Sequence, residues 1–312
     1  MTRPRTRTPL RRAAAPGTLW RSDPMGAFAA VLTVIITTVV VAMVVLGRAY
    51  DGDDPSSTGG GFVGGDFHSL VADPAVSGRL FVGGHEAVSV SDDGGVSWQR
   101  IDALDSVDAM GWGFNSGRIW ISGHPGIVMS LDGGETFGRR SDALPDTDIH
   151  ALGAASLAGD QRLVYAAGPV VGVIASRDNG VSWQSIATDD GQSFFGKILI
   201  DADDPQRLLA ADAARGPVAS DDGGETWDVL TRLPVSWIST TAGFQSIYAS
   251  GSDGAAMSGD GGDNWQPLNL PAGASLVEAD PQVPGRLYAG VHDGASVTVL
   301  ISEDQGRNWR EA

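Results

Sequence analysis

Residues Ser220–Trp227 read Ser-Asp-Asp-Gly-Gly-Glu-Thr-Trp, and versions of this stretch occur six times between residues 91 and 309. Each copy begins with Ser and has Asp two residues on, Gly four on, Ser, Thr or Asn six on and an aromatic residue seven on. The copies begin at Ser91, Ser130, Ser176, Ser220, Ser258 and Ser302. The chain is therefore built from a repeat, and this stretch marks the same point in every copy.

The repeated stretch has the composition of a β-hairpin turn. Gly supplies positive φ, and the Asp side chain accepts hydrogen bonds from the turn's own backbone amides. The aromatic residue begins the next strand, where a large ring can fill the wedge between neighbouring sheets. The pattern therefore predicts a structural role for the repeated aspartates, which are Asp93, Asp132, Asp178, Asp222, Asp260 and Asp304.

The spacing of the copies predicts the fold. Successive copies begin 39, 46, 44, 38 and 44 residues apart, which is enough for four short strands and is typical of a propeller blade. We therefore expect an all-β, six-bladed β-propeller of four-stranded blades over residues 66–312. The stretch resembles the Asp-box (BNR) repeat, Ser-x-Asp-x-Gly-x-Thr-Trp, of sialidases, sortilin-type receptors and secreted bacterial propellers. This resemblance implies an architecture and not a particular chemistry.

Composition excludes several kinds of site. The chain has no Cys, so disulfides, thiolate metal sites and a lipid-modified cysteine anchor are all excluded. Residues 48–312 contain 15 basic and 37 acidic residues, a formal charge of −22. Such an acidic domain is not expected to bind nucleic acid. An acidic β domain is more often a soluble extracellular domain with an acidic surface than a domain that binds cations.

The amino-terminal segment predicts a membrane anchor. Residues 1–25 carry six Arg and one acid, and residues 26–46 form a run in which Thr is the only polar residue. This run is long enough to cross a bilayer and lacks the small-x-small site of a cleavable signal peptide. We expect a cytoplasmic tail (1–25), a transmembrane helix (26–47) and a Gly/Ser/Asp-rich tether (48–65). The arginines before the helix predict a single-pass protein of the cell membrane with its propeller outside.

Four of the five histidines fall in the first three predicted blades, at the end opposite the repeated turns. His68 and His150 open the first strands of repeats one and three, and His85 and His124 lie between the second and third strands of repeats one and two. Since neighbouring strands are about 4.8 Å apart, we expect His68 to face Gly84 beside His85, and His124 to lie near Asp108. Further acids are expected in this sector, namely Asp102, Asp105, Asp142, Asp146 and Asp148.

Imidazole and carboxylate groups in one sector suit a divalent metal or a general acid–base pair. The sequence therefore predicts a polar pocket for a metal, or for an anionic or sugar-like ligand, lined by His68, His85, Asp108, His124 and His150. The four histidines are the candidate metal ligands. One of His68 and His150, which open first strands nearest the propeller axis, is expected to orient a ligand instead of binding the metal, because adjacent blades diverge outward. The alternative is that these residues are solvated, or hold loops through hydrogen bonds.

The stretches around these histidines carry a second resemblance. Phe67-His68-Ser69-Leu70, Gly83-Gly84-His85, Ser122-Gly123-His124-Pro125 and Ile149-His150-Ala151-Leu152 resemble a secreted bacterial Asp-box family labelled glycosyl hydrolase. Sialidase chemistry, however, needs a Tyr nucleophile assisted by Glu and three arginines. Tyr165, Tyr248 and Tyr288 fall at core positions of predicted strands, and the Arg-Ile-Pro motif of sialidases is missing.

These patterns favour a binding module over an enzyme. The first hypothesis is a membrane-anchored propeller that binds a glycan, a cell-envelope ligand or a protein partner at the end bearing the histidines. The alternative is an exo-acting glycoside hydrolase. A third hypothesis is a purely structural platform.

Overall fold

The computed structural model describes residues 59–157 and 162–312. The predicted cytoplasmic tail and transmembrane helix lie outside these residues, as does most of the predicted tether. In the described part of the chain, no helix has the length and apolar character needed to cross a bilayer. The described chain is all-β, as the repeats predict, with short 3₁₀ turns at Asp102–Leu104 and Ala242–Phe244.

After the short strand β1 (Gly61–Phe62), the strands fall into sets of four consecutive strands, here numbered one to six. Sets one to three are β2 (Phe67–Ala72), β3 (Leu80–Gly84), β4 (Val88–Ser91) and β5 (Gln99–Arg100); β6 (Gly111–Asn115), β7 (Arg118–Gly123), β8 (Gly126–Ser130) and β9 (Gly138–Arg139); β10 (Ala151–Ser156), β11 (Arg162–Gly168), β12 (Gly172–Ser176) and β13 (Gln184–Ala187). Sets four to six are β14 (Phe194–Ile200), β15 (Leu208–Asp212), β16 (Gly216–Ser220) and β17 (Asp228–Val229); β18 (Trp237–Thr240), β19 (Ile247–Gly251), β20 (Gly254–Ser258) and β21 (Gln266–Leu268); β22 (Ala274–Ala279), β23 (Leu287–His292), β24 (Ser296–Ser302) and β25 (Arg310–Glu311).

Within each set every strand pairs antiparallel with the next one along the chain. Each set therefore has two ends. One end carries the repeated turn between the third and fourth strands, which we call the repeat turn. The other end carries the start of the first strand and the turn between the second and third strands, and we call it the His end because His68, His85, His124 and His150 lie there.

The two ends of the described chain meet on one strand. β1 pairs with the beginning of β24 through Gly61 and Val297, while β25 pairs further along β24. Val63 is fully buried, and its carbonyl accepts a hydrogen bond from the amide of Ala87 in set one. Residues 61–63, which fall in the predicted tether, therefore contact both set six and set one.

Sets three and four are joined into one eight-stranded sheet. β10 and β14 pair in parallel, with Ala151 opposite Gly196 and Leu152 opposite Lys197. A Cβ at Gly153 would overlap the carbonyl oxygen of Ile198, so only glycine allows the two strands to approach this closely. This contact brings the first strand of set four, with Phe195, towards the His end of set three.

Every repeat turn has the hydrogen bonds that its composition predicts. In the turn of set four, one oxygen of Asp222 accepts from the Ser220 hydroxyl (2.8 Å) and the Thr226 amide (3.0 Å), and the other accepts from the Thr226 hydroxyl (2.6 Å). The Gly224 amide donates to the Ser220 hydroxyl at 2.8 Å. The equivalent bonds form at Asp93, Asp132, Asp178, Asp260 and Asp304.

The rings of the second strands lie in the core, as predicted. Tyr165, Tyr248 and Tyr288 are each at most 2% exposed, as are the equivalent Phe81 and Trp120. The Tyr165 hydroxyl donates to a backbone carbonyl, and the Tyr288 hydroxyl donates to Asp280. These phenols serve packing and internal hydrogen bonds, and none of them lies at the His end.

Candidate functional site

The candidate site is built around Asp108, which lies between sets one and two at the His end. Its side chain is 4% exposed, and its φ of 57° lies in the left-handed region that few residues other than glycine adopt. The end of β7 approaches the same loop so closely that a Cβ at Gly123 would overlap the carbonyl oxygen of Asp108. Strained backbone of this kind persists only where the surrounding structure enforces it.

Three histidines from two sets surround the Asp108 carboxylate. Nδ1 of His68 lies 2.9 Å from Oδ1, and Nδ1 of His85 lies 3.3 Å from the same oxygen. Nδ1 of His124 contacts Oδ2. His68 is 15% exposed, whereas His85 and His124 are 60% and 54% exposed, so the carboxylate lies at the base of an open cluster.

These contacts are short, but they are not aligned hydrogen bonds. His68 Nδ1 and both carboxylate oxygens of Asp108 are buried, and none of them has a partner of acceptable hydrogen-bond geometry among the residues that the structure describes. The N–H direction of the His68 ring misses the oxygen even though the atoms are close. Buried polar atoms are seldom left without an aligned hydrogen bond, so the Asp108 carboxylate keeps acceptor capacity for a bound group.

The histidines nevertheless stabilise the anion. Burial alone would raise the pKa of Asp108, but its contact with His68 and the charges of His68, His124 and His85 hold the pKa below its ordinary value. Asp108 is therefore a buried carboxylate that stays ionised at neutral pH.

A second carboxylate continues the cluster into set three. Nε2 of His150 lies 2.8 Å from Oδ1 of Asp148, and Nε2 of His124 lies 3.6 Å from the same oxygen. One donor atom from each of these three residues falls within 4.8 Å of the others. The His124 ring consequently spans two carboxylates, with Asp108 at one nitrogen and Asp148 at the other.

Phe195 of set four closes the inner side of the cluster. Its ring centre lies 5.8 Å from that of His68 and 6.1 Å from that of His150, both in edge contacts. The register of β14 shifts between Phe195 and Ile198, and Gly196 has a φ of 77°. This β-bulge turns Phe195 towards the histidines, which is a common use of bulges beside functional sites.

On the outer side the cluster opens into a cleft between sets one and two. The cleft has a volume of about 410 Å³, and its lining includes His85, Glu86, Arg100, Asp108 and His124. Arg100 is paired with Asp105 at 2.8 Å. The cleft thus offers polar groups of both signs next to Asp108.

All five predicted site residues therefore lie in one cluster, although their predicted roles in binding a ligand or a metal stay predictions. One detail of the expected geometry is wrong, because Gly84 faces Phe67 and not His68. The register shifts between Phe67 and Ser69, so His68 is the extra residue of a β-bulge. The fifth histidine, His292, ends β23 at the His end of set six, but it lies outside this cluster and its ring contacts Phe67.

Asp148 and Phe195 complete the cluster but are not among the predicted site residues. Asp148 is one of the acids expected in this sector, and its position two residues before His150 is a signal that sequence reasoning could have used. Phe195 carries no comparable signal, because its place depends on the bulge in β14 and on the parallel pairing of β10 with β14.

No family model matches this chain, and no curated protein matches it. Solved structures do resemble it. The GH74 xyloglucanase from Xanthomonas campestris has 17% identity and a TM-score of 0.56, covering 82% of this chain and 46% of its own. The GH74 enzyme of Niastella koreensis has 14% identity and a TM-score of 0.56, covering 82% and 47%. A nidogen/laminin complex has 13% identity and a TM-score of 0.52, covering 72% and 88%.

At these identities the likeness shows the fold alone, which is propeller-like. The chain spans about half the length of the two GH74 structures. Because one fold occurs in enzymes and in a complex between proteins, it does not by itself decide between catalysis and binding.

Proposed function

We propose that the chain is a six-bladed Asp-box β-propeller whose His end binds a ligand or a protein partner. The blade count is supported by a central pocket of about 200 Å³ that is lined from all six sets. Each set contributes at least one lining residue; in chain order, examples are Val71, Trp112, Ala154, Lys197, Thr240 and Glu278. The meeting of β1 and β25 on β24 supports closure of the ring.

One observation carries the binding function: histidines from three consecutive sets form one cluster with the buried Asp108 and with Asp148, beside an open cleft. His68 and His85 come from set one, His124 from set two and His150 from set three. Polar groups gathered from several blades at the mouth of a fold are typical of ligand sites. We therefore place the binding surface at the His end, opposite the repeat turns, and expect a glycan, a cell-envelope ligand or a protein there.

The alternative, an exo-acting glycoside hydrolase, has less support. A glycosidase needs one carboxyl group whose pKa is raised so that it can protonate the leaving group. Asp108 and Asp212, the two buried carboxylates at this end of the described sets, both have lowered pKa values. The buried tyrosines are also remote from the His end, so a sialidase-type nucleophile has no candidate among the described tyrosines.

Site-specific photo-cross-linking in cells tests which end is used. Glu86, exposed in the cleft, and Val96, 57% exposed in the repeat turn of the same set, form a matched pair for a photoreactive amino acid. We expect a cross-linked product from position 86 and none from position 96. The double variant His68→Ala/His124→Ala should lower the yield of the product from position 86. Products only from position 96 would place the binding surface at the repeat-turn end.

We also propose that residues 26–47 anchor the chain in the cell membrane with the propeller outside. The support is the arginine-rich start and the uncharged run that follows it. A reporter that works only outside the cytoplasm should be active when it is fused after Ala312. Activity of a reporter that works solely in the cytoplasm would show that the proposed orientation is wrong.

A further inference from the structure

We infer that the His end holds a divalent cation of the zinc class, bound by Nε2 of His124, Nε2 of His150 and Oδ1 of Asp148. This inference deepens the proposed function, since it places an ion in the proposed binding surface. It assigns only two of the four histidines as ligands. His68 and His85 contact Asp108 and are not metal ligands in this arrangement.

The donor atoms fit such an ion in kind and in spacing. Two imidazole nitrogens and one carboxylate oxygen leave further positions open, as in zinc sites that bind a water or a substrate. Ligands about 2.0–2.2 Å from a tetrahedral ion lie roughly 3.3 Å from one another. Oδ1 of Asp148 lies 2.8 Å from the His150 nitrogen and 3.6 Å from the His124 nitrogen, so only small side-chain rotations are needed.

Asp108 supplies an independent observation. Nδ1 of His124 contacts this buried carboxylate, which leaves Nε2 of the same ring to face Asp148. A ligating histidine almost always gives its other ring nitrogen to a carboxylate or carbonyl, which fixes the ring and makes the ligating nitrogen more basic. The two Asp108 oxygens are buried without aligned hydrogen bonds, and with an ion at Nε2 of His124 this carboxylate would balance part of the positive charge.

The surroundings of the three ligands leave the ion accessible. His124 is 54% exposed and Asp148 is 36% exposed, so the open coordination positions face solvent. Phe195 contacts the edge of His150, which is 22% exposed, and limits the directions that this ring can take. An oxygen atom of a bound molecule, such as a carboxylate or a sugar hydroxyl, can therefore complete the coordination sphere.

The test uses the full-length chain after treatment with a chelator and dialysis. Zinc chloride alone is titrated in a calorimeter, and cobalt(II) chloride is added to a second sample while its visible absorption is recorded. We expect one zinc ion per chain and the intense cobalt bands of a four- or five-coordinate site. His150→Ala and Asp148→Asn should abolish binding, and Asp108→Asn should lower the affinity about 10–100-fold.

A matched control separates coordination from general damage. His292→Ala removes the histidine outside the cluster. This variant should bind zinc with the wild-type stoichiometry and affinity. The cobalt spectrum of the wild-type chain also reports coordination without depending on whether a variant folds.

Three results would overturn the assignment: a folded wild-type chain that takes up no zinc, a cobalt spectrum of the hydrated ion, or wild-type affinity in folded His124→Ala/His150→Ala. The cross-linking experiment is independent of metal. Cross-linking from position 86 without zinc binding would contradict the metal assignment alone. Zinc binding with cross-links only from position 96 would contradict the proposed binding surface and support the metal assignment.

Discussion

Replacing Glu278 with Gln is expected to lower the free energy of unfolding by about 3–5 kcal/mol, the largest effect we predict for one side chain. Glu278 is 4% exposed in the central pocket, and Lys197 Nζ lies 2.7 and 2.5 Å from its two oxygens. The Trp237 indole and the Ala72 amide also donate to this carboxylate. Its loss would leave the Lys197 ammonium buried without a counter-charge.

Replacing both members of the pair should behave differently. Burial raises the pKa of Glu278 against the opposing effect of Lys197, which indicates that taking the carboxylate out of water is costly. Lys197→Met/Glu278→Leu removes both charges together, and buried pairs replaced in this way are often as stable as the original or more so. We therefore expect the double variant to unfold near the wild-type urea concentration.

Urea unfolding followed by tryptophan fluorescence measures both effects, and Glu303→Gln is the control. Glu303 pairs with Arg286 at the surface and is 48% exposed, so its loss should change stability by less than about 1 kcal/mol. A double variant destabilised by as much as Glu278→Gln would show that the ion pair stabilises the fold more than the apolar side chains that replace it.

The sequence predicts the strands well because each repeat carries its own turn. The Asp and Gly of a repeat turn lie within eight residues, so their hydrogen bonds are local and can be deduced from residue type. The burial of Tyr165 and Tyr248 also follows from the alternation of a strand. The convergence of His85 and His124 near Asp108 could be expected because strand order alone assigns these residues to one end.

Contacts between distant repeats could not be predicted in this way. Lys197 and Glu278 are 81 residues apart, and nothing near either residue reveals its partner. The pairing of Gly61 with Val297 depends on closure of the whole fold. A β-bulge shifts a side chain by one residue, which changes the face on which it lies, and the bulge at His68 has no clear sequence signal.

Replacing Asp222 with Ala is expected to cost on the order of 1–3 kcal/mol of stability. The change removes the acceptor for the Ser220 hydroxyl and for the amide and hydroxyl of Thr226, while Trp227 still donates to the Gly224 carbonyl. Asn at this position keeps one acceptor oxygen and should cost less. Glu225→Ala, which removes an exposed carboxylate from the same turn, is the matched control and should be close to neutral.

The same hydrogen bonds predict the response of the turns to acid. Those from Thr226, with the one from Ser220, lower the pKa of Asp222 to about 2, and the pKa values of Asp178 and Asp304 are also lowered to about 2. Because the folded pKa lies below the unfolded value of about 3.9, these carboxylates stabilise the fold above pH 4 and lose that contribution as the pH falls towards 2. Urea midpoints measured between pH 6 and pH 2.5 should therefore converge for wild type and Asp222→Ala. A constant difference in urea midpoint across this range would mean that Asp222 stabilises the turn by something other than its charge. Loss of cross-linking from position 86 in folded Asp222→Ala would show that the repeat turns take part in binding.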